Sequence, residues 1–200
     1  MLSRKHKALN WLGAHWPSAY LFLRRSVRLL KKLMGKQTYS ERRRDYNYYQ
    51  EVLRLAEKYS SGGVRVIDVG GGEMPVVEDM HWMKQKAVLD ILYQPPRPGV
   101  EVHVGDLFGF EPAELFDLVL CLQVLEHLHD PARFAERLFA MGSVVIISVP
   151  YRWPVDFEPN HVQDPIDEAK LALWTGREPV ESVIISDEAE RLIAVYRQDA

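Results

Sequence analysis

The stretch from Val64 to Pro75 constrains the fold more than any other part of the chain. It reads Val-Arg-Val-Ile-Asp-Val-Gly-Gly-Gly-Glu-Met-Pro, a β-branched run followed by three glycines and a proline. Such a run is typical of a strand that is buried on both faces. Glycine allows the backbone to approach a ligand closely, and Pro75 suits the first turn of a helix. The pattern predicts a strand, a glycine-rich turn and a helix, the first βα unit of a nucleotide-type site.

The residues around the glycines argue against two common phosphate-binding motifs. Position 75 is proline where the dinucleotide fingerprint requires a third glycine, and the Gly-Lys-Ser/Thr of a P-loop is absent. Asp68, two residues before Gly70, would repel a phosphate but can accept hydrogen bonds from a cationic or hydroxylic ligand. A tight turn that binds no ligand is the alternative interpretation.

The rest of the chain predicts an α/β fold. Further strands are predicted at Ala87–Leu89, Val100–Val104, Phe116–Leu122 and Val144–Val149, and helices at Ser40–Tyr59, Pro75–Lys84 and Pro131–Met141. Strands that alternate with helices imply a parallel sheet with right-handed crossovers. The last two strands, Glu181–Ser186 and Leu192–Arg197, are too close in sequence for a crossover and must form an antiparallel hairpin. We therefore predict a seven-stranded, mostly parallel sheet with a C-terminal antiparallel hairpin and helices on both faces.

Charge divides the chain into a basic N-terminal segment and an acidic remainder. Residues 1–44 hold twelve Lys or Arg and one acid, although the net charge of the whole chain is −3. Residues 18–34 have the spacing of a basic amphipathic helix. That helix can pack on the domain with its basic face in water, or attach to an anionic membrane surface. We predict a basic helical extension over residues 1–39 and one globular domain over residues 40–200.

The composition favours a reducing compartment. Cys121 is the only cysteine, so an intrachain disulfide is excluded. The apolar residues 10–23 are short for a membrane span and lack a small-residue cleavage site. We predict a cytoplasmic protein, with peripheral attachment to an anionic membrane through residues 1–36 as an option. The arginines and tyrosines of residues 42–49 have helical spacing, so a nucleic-acid partner is not expected, and the oligomeric state is left open.

Three aspartates end successive predicted strands. Asp68, Asp90 and Asp106 follow the first, second and third strands, and ligands bind at this edge of an open parallel sheet. An acid after the second strand can accept hydrogen bonds from both ribose hydroxyls. One after the third strand can accept from an exocyclic amine such as adenine N6. Each aspartate could instead cap the helix or turn that follows it.

At these positions the chain resembles the class I S-adenosylmethionine-dependent methyltransferases, of the small methyltransferase-domain group. The matching segments are 66–72, 88–90, 105–108, 116–119 and 123–131. The resemblance covers roughly residues 40–200. It implies a Rossmann-like methyltransferase domain there, with S-adenosylmethionine as the cofactor that donates the methyl group.

The resemblance also assigns the cofactor-binding residues. It implies that Asp68 and the glycines Gly70, Gly71 and Gly72 line the methionine part, Asp90 holds the ribose, Asp106 and Leu107 flank the adenine, and Gln123 faces the cofactor or the acceptor. Met74 stands before Pro75 where the family pattern usually carries a further glycine. The loop therefore either has a different shape or forms a degenerate cofactor site.

Methyl transfer requires an aligned acceptor and, for a hydroxyl acceptor, a base that takes its proton. Candidate bases on the strand-end rim are His127, His129, Tyr151 and His161, with Asp156 and Asp164 as orienting groups. Histidine has a suitable unperturbed pKa. We predict that His127, His161 and Tyr151 are catalytic, with His127 as the first choice. A helix-capping or packing role is the alternative for His127.

At Glu126 and His127 the chain also resembles a subset of this superfamily. These are the metal-assisted O-methyltransferases, which include ubiquinone-type and small-RNA 2′-O-methyltransferases. These carry Glu-x-x-Glu-His and a later histidine. Here Gln123, a poorer ligand for a hard cation, replaces the first glutamate, whereas Glu126, His127 and His161 are present. We predict a site without a metal, and metal binding is the alternative.

The segment from Pro150 to Pro179 follows the fifth strand, where an acceptor would lie. Tyr151, Trp153 and Phe157 are suited to stacking on a sugar or another ring, or to folding onto the sheet. We predict methyl transfer to an acceptor, with an oxygen of a small molecule, glycan or lipid-linked substrate as the target. The alternatives are a non-catalytic S-adenosylmethionine-binding module and an RNA- or membrane-associated methyltransferase that uses the basic arm.

Overall fold

The computed structural model describes residues 43–72, 74–92 and 94–198, together with Trp11, His15, Trp16 and Ser26. The predicted basic extension lies outside the described residues, apart from those four positions. Residues 40–42 of the helix predicted from Ser40 also lie outside the described residues. The prediction of one continuous helix from there to Tyr59 is wrong, because Tyr46 has an extended backbone conformation and the described helix begins at Asn47. Within the described segments, we find no helix with the length and apolarity that a membrane span requires.

The described segments form an alternating series of strands and helices. In chain order these are α1 (Asn47–Ser60), β1 (Arg65–Val69), α2 (Val76–Asp79), β2 (Gln85–Asp90), β3 (Glu101–Val104), β4 (Phe116–Leu122), α3 (Pro131–Phe139), β5 (Gly142–Pro150), α4 (Glu168–Thr175), β6 (Glu181–Ser186) and β7 (Glu190–Arg197). Single-turn 3₁₀ helices lie at Leu107–Gly109 and Leu125–His127.

The strands form one sheet with the order β3-β2-β1-β4-β5-β7-β6. The first five strands are parallel, and β7 runs antiparallel to both β5 and β6. This confirms the predicted Rossmann-like fold and its terminal hairpin. The strand order reverses between β1 and β4, and at such a switch point the carboxyl ends of the strands open a crevice for a ligand.

Several elements differ in length from their predictions, and two of the differences have a clear cause. The helix predicted over Pro75–Lys84 is a single turn that ends at Asp79, because the N–H groups of Lys84 and Gln85 donate to the carbonyl of Val64 and so begin β2. Strand β7 begins two residues earlier than predicted, since Glu190 already pairs with Ser186. Asp130 caps α3 as expected: its carboxylate accepts the N–H of Arg133 at 3.1 Å.

The sheet is covered on both faces. On one face, α1 and α2 pack against the central strands through side chains such as Val52 and Leu55, and on the other face Leu138 and Leu171 of α3 and α4 join the core. Burial on both faces explains why the central strands are continuous apolar runs. Helix α1 is anchored by Asp187 of the terminal hairpin, whose carboxylate accepts the first N–H groups of the helix at 3.0 and 2.9 Å.

Candidate active site

A cleft of about 210 Å³ lies at the carboxyl ends of β1 and β4, where the strand order reverses. The predicted cofactor residues that line it are Asp68, Gly70, Gly71, Gly72 and Gln123. Helix α1 covers the cleft with Tyr48, Tyr49 and Val52. The sequence analysis placed those tyrosines on a helix and did not connect them with the site.

The glycine turn is folded over the carboxylate of Asp68. Gly70 and Gly72 have φ values of +77° and +54°, a region that favours glycine. A Cβ at Gly71 would lie 2.0 Å from Asp68 Oδ2, and one at Gly70 would lie 2.6 Å from a methyl carbon of Val124. The turn therefore needs glycine both for its backbone conformation and for its close approach to neighbouring side chains.

Asp68 presents a buried carboxylate to the cleft. The residue is 1% exposed, and neither carboxylate oxygen has a hydrogen-bond partner within the described segments. Burial raises the pKa of Asp68 to about 7, although the positive charge of Arg97 opposes the rise. A buried acceptor without a partner is costly, so Asp68 is suited to receive hydrogen bonds from a ligand.

Asp90 links the end of β2 to the glycine turn. Its Oδ2 accepts the N–H of Gly72 at 3.0 Å, and its Oδ1 accepts the N–H of Leu92 at 2.8 Å. Burial raises the pKa of Asp90, while these two backbone hydrogen bonds oppose the rise. Each carboxylate oxygen can accept a second hydrogen bond, so Asp90 can hold the turn and still bind a hydroxyl pair.

Arg97 fixes the loop in which Met74 replaces the expected glycine. Its guanidinium donates to the carbonyls of Gly72 and Met74, the second at 3.1 Å, and lies 3.5 Å from the carboxylate of Glu78. The loop therefore has a defined shape that is held by an arginine. The sequence analysis missed Arg97, because nothing in its proline-rich surroundings indicates a contact with residues more than twenty positions earlier in the chain.

The third predicted acid has a capping role. Asp106 is exposed, and its Oδ1 accepts the N–H of Phe108 at 2.9 Å at the start of a 3₁₀ turn. Leu107 is buried in the core. The structure therefore shows the capping alternative for Asp106, and the contact of Asp106 and Leu107 with adenine stays a prediction.

Gln123 joins three elements at the base of the cleft. Its φ is +59°, its backbone N–H donates to the carbonyl of Ser148 at 2.9 Å, and its side-chain amide donates to Ser148 Oγ at 3.3 Å. The same hydroxyl lies 2.6 Å from the hydroxyl of Tyr48. This chain of hydrogen bonds positions β4, β5 and α1 around the cleft.

The structure brings His127 and His161, two of the predicted bases, into contact. Their rings lie 4.8 Å apart. His127 Nδ1 lies 3.0 Å from the carbonyl oxygen of Asn160, and His161 Nδ1 lies 2.7 Å from Asp164 Oδ2, so Asp164 is the orienting acid. Partial burial and the neighbouring His161 lower the pKa of His127, whereas the Asn160 carbonyl raises it.

Glu126 belongs to the same cluster as the two histidines. It is 1% exposed, and neither of its carboxylate oxygens has a hydrogen-bond partner among the described residues. Burial raises the pKa of Glu126 to about 8. One ligand atom each from Glu126, His127 and His161 lies within 4.8 Å of the others, a spacing that could hold a metal ion. The sequence motif alone did not reveal that Glu126 is buried.

The aromatic residues after β5 were predicted either to stack on an acceptor ring or to fold onto the sheet, and they differ in their exposure. Trp153 folds onto the rim, where its ring stacks on His161 at 5.5 Å, whereas Phe157 is 56% exposed. The Tyr151 hydroxyl donates to Glu168 of α4 at 3.0 Å, and partial burial and this carboxylate raise its pKa. A base with a raised pKa is less effective near neutrality, so His127 and His161 fit the predicted role better than Tyr151.

A doubly covered sheet of this topology, with a glycine turn over one buried acid and a second acid ending β2, defines a class I S-adenosylmethionine-dependent methyltransferase. The family model described as a methyltransferase domain matches residues 39–179. The chain therefore belongs to the methyltransferase-domain family. No curated protein matches its sequence.

Solved structures with the same fold include two N-methyltransferases and the N-terminal domain of a further protein, EvdMO1. The N-methyltransferase NodS from Bradyrhizobium japonicum WM9, in complex with S-adenosylhomocysteine, is 19% identical, with a TM-score of 0.60 over 82% of this chain and 94% of that one. The 1,6-didemethyltoxoflavin-N1-methyltransferase from Burkholderia thailandensis is 17% identical, with a TM-score of 0.64 over 92% and 91%. The N-terminal domain of EvdMO1, crystallised in the presence of S-adenosylhomocysteine and D-fucose, is 15% identical, with a TM-score of 0.55 over 78% and 84%.

Proposed function

We propose that this methyltransferase transfers the methyl group to an oxygen of a sugar-like acceptor, either a small molecule, a glycan or a lipid-linked substrate. The observation that carries the proposal is the polar cluster beside the cleft, in which His127, His161 and Asp164 are held in contact. A hydroxyl acceptor must lose a proton during transfer, and this cluster supplies groups that favour that loss.

The cleft supports a definite orientation of the cofactor. Asp68 and the glycine turn receive the methionine part, Asp90 receives the ribose hydroxyls, and Gln123 lies between the cofactor and the acceptor. Asp106 and Leu107 remain the proposed neighbours of the adenine. With this orientation the methyl group faces the end of β4, which leads directly into the Leu125–His127 turn.

Aromatic side chains around the buried side chain of Arg191 support a sugar-like acceptor. Trp153 lies on the rim, and the guanidinium of Arg191 lies 5.6 Å from its ring and 5.3 Å from that of Tyr48. Aromatic rings pack well on sugar faces, and their polar edges bind hydroxyls. EvdMO1, which shares the fold, was crystallised with D-fucose.

The test is a transfer assay with S-adenosylmethionine labelled in its methyl group. Monosaccharides, nucleotide sugars, lipid-linked sugars and amino sugars are offered separately, and mass spectrometry locates the new methyl group. We expect O-methylation of a sugar-like acceptor. N-methylation of the amino sugars alone, or S-adenosylhomocysteine binding without transfer to any acceptor, would contradict the proposal. The second outcome would favour the non-catalytic binding module.

We also propose a cytoplasmic protein whose residues 1–36 attach to an anionic membrane surface. The basic charge of this segment and the exposure of Trp11 and Trp16, at 57% and 63%, support the proposal. Sedimentation with vesicles that contain an anionic lipid, compared with neutral vesicles, tests it. Binding should fall with added salt and disappear when residues 1–36 are deleted. Salt-sensitive binding to RNA instead would contradict it.

A further inference from the structure

The first turn of α1 is capped by a carboxylate from the C-terminal hairpin. The residue before the helix, Tyr46, makes no side-chain cap, and the first turn holds no acid. Instead, Asp187 in the turn between β6 and β7 accepts the N–H groups of Asn47 and Tyr48 at 3.0 and 2.9 Å. The first N–H groups of a helix have no partner within it, and a negative charge is favourable there. Asp187 therefore holds the start of α1 from a position 140 residues further along the chain.

The turn that Asp187 holds forms part of the cleft wall. Tyr48 and Tyr49 line the cleft with their side chains buried. The hydroxyl of Tyr48 lies 2.6 Å from Ser148 Oγ near the end of β5. The same Oγ accepts the side-chain amide of Gln123 at 3.3 Å. A displacement of the first turn of α1 would therefore disturb both the cleft wall and the orientation of Gln123.

A second carboxylate holds the start of α1 against α2. Asp79, the last residue of α2, accepts the hydroxyl of Tyr49 at 2.7 Å. It also accepts Nε and Nη2 of Arg44 at 2.7 and 2.6 Å. Burial and the neighbouring Asp79 raise the pKa of Tyr49, so its hydroxyl remains a donor at neutral pH. The start of α1 is therefore fixed to α2 by one acid and to the hairpin by another.

We propose that Asp187 is a positioning residue for cofactor binding. By holding the first turn of α1, it keeps Tyr48 and Tyr49 in the wall against which S-adenosylmethionine binds. Asp187 does not itself line the cleft, and it contacts α1 through backbone N–H groups. Its effect on the cofactor must therefore pass through the position of the helix. The apparent affinity of a ligand falls with the fraction of molecules whose site is formed, so a less firmly held α1 weakens binding.

Calorimetry of the full-length protein with S-adenosylhomocysteine tests the proposal. We expect Asp187→Ala to raise the Kd by about 3- to 30-fold, the range that corresponds to the loss of a helix cap. Asp187→Asn should restore most of the affinity, because its side-chain oxygen can still accept an N–H of the first turn. Amide hydrogen exchange of residues 47–55 should be faster in Asp187→Ala than in the wild type, since the first turn opens more often.

Glu188→Ala is the matched control, because it removes the exposed acid at the next position of the same turn. It should bind S-adenosylhomocysteine like the wild type. A purely structural cap would lower the unfolding temperature of Asp187→Ala and leave the Kd unchanged, and that result would overturn the proposal. Equal effects of Asp187→Ala and Glu188→Ala would overturn it as well.

Hydrogen exchange of the wild type gives a test that does not depend on the folding of a variant. S-adenosylhomocysteine should slow the exchange of residues 47–55, because the ligand binds only when α1 is in place. Unchanged exchange in this segment on ligand binding would contradict the proposal. No acceptor takes part in these measurements, so their outcome is independent of the proposed transfer to a sugar-like hydroxyl.

Discussion

Gly71 lies so close to Asp68 that a Cβ on the glycine would be 2.0 Å from the Asp68 carboxylate oxygen Oδ2. The acid that faces the cleft and the turn that covers it therefore form one unit. Neither can change without moving the other, since Asp68 is a buried residue of β1 and the turn lies against its carboxylate.

Substitution of Gly71 should disturb both cofactor binding and stability. We expect Gly71→Ala to weaken S-adenosylhomocysteine binding at least about tenfold and to lower the free energy of unfolding by about 1–3 kcal/mol, because the added methyl group must displace Asp68 or the turn. Calorimetry and denaturant unfolding measure the two effects. Gly109→Ala is the control, since a Cβ there meets nothing within 4 Å. Equal affinities of the two variants would show that the turn adapts.

The buried carboxylate of Asp68 should make the stability of the cofactor-free protein depend on pH. Folding raises its pKa from 3.8 to about 7, so between these values the folded state binds more protons than the unfolded state. The free energy of unfolding therefore falls as the pH rises through this window. Above pH 7, Asp68→Asn should be more stable than the wild type, by at most about 4 kcal/mol. This difference in the free energy of unfolding should vanish as the pH approaches 3.8, the lower end of the window.

Urea unfolding at a series of pH values measures this difference. Asp156→Asn, at an exposed position, should follow the pH dependence of the wild type. Asp68→Asn should also weaken S-adenosylhomocysteine binding, because the amide has one acceptor oxygen instead of two. Parallel stability curves for Asp68→Asn and the wild type would mean that Asp68 ionises normally in the folded protein.

Arg97 provides a test of how the glycine loop is held. Arg97→Met should lower the free energy of unfolding by about 1–3 kcal/mol, because the carbonyls of Gly72 and Met74 lose their donor. Arg97→Lys keeps the charge without the planar fork, so it should restore only part of the loss. Arg197→Met, at an exposed position in β7, controls for the loss of a surface arginine. Full S-adenosylhomocysteine affinity in Arg97→Met would show that the loop keeps its shape unaided.

The sequence predicts the sheet well because each strand depends on a local pattern. The apolar runs and the short link before β7 are visible along the chain, and so are the acids at the carboxyl ends of β1 and β2. The site depends on contacts between distant residues. Arg97 meets Gly72 across 25 positions, and His127 meets Asn160 across 33. Asp106 also follows a strand, but its carboxylate caps the next turn. A strand-end position therefore does not by itself identify an acid that faces the cleft.

Trp153 offers a way to separate acceptor binding from cofactor binding. Its ring stacks on His161, and its indole N–H donates to the carbonyl of Glu190 at 2.7 Å, so the side chain is fixed on the rim. We expect Trp153→Leu to raise KM for the acceptor by roughly tenfold while the Kd of S-adenosylhomocysteine stays unchanged, because the acceptor loses an aromatic face on which to pack. Phe157→Leu removes the exposed ring that packs edge-to-face on Trp153 at 4.9 Å, and it should change KM less because the Trp153 ring itself is kept. If Phe157→Leu has the larger effect, the acceptor contacts the outer part of the loop, and Trp153 serves to hold His161 in place.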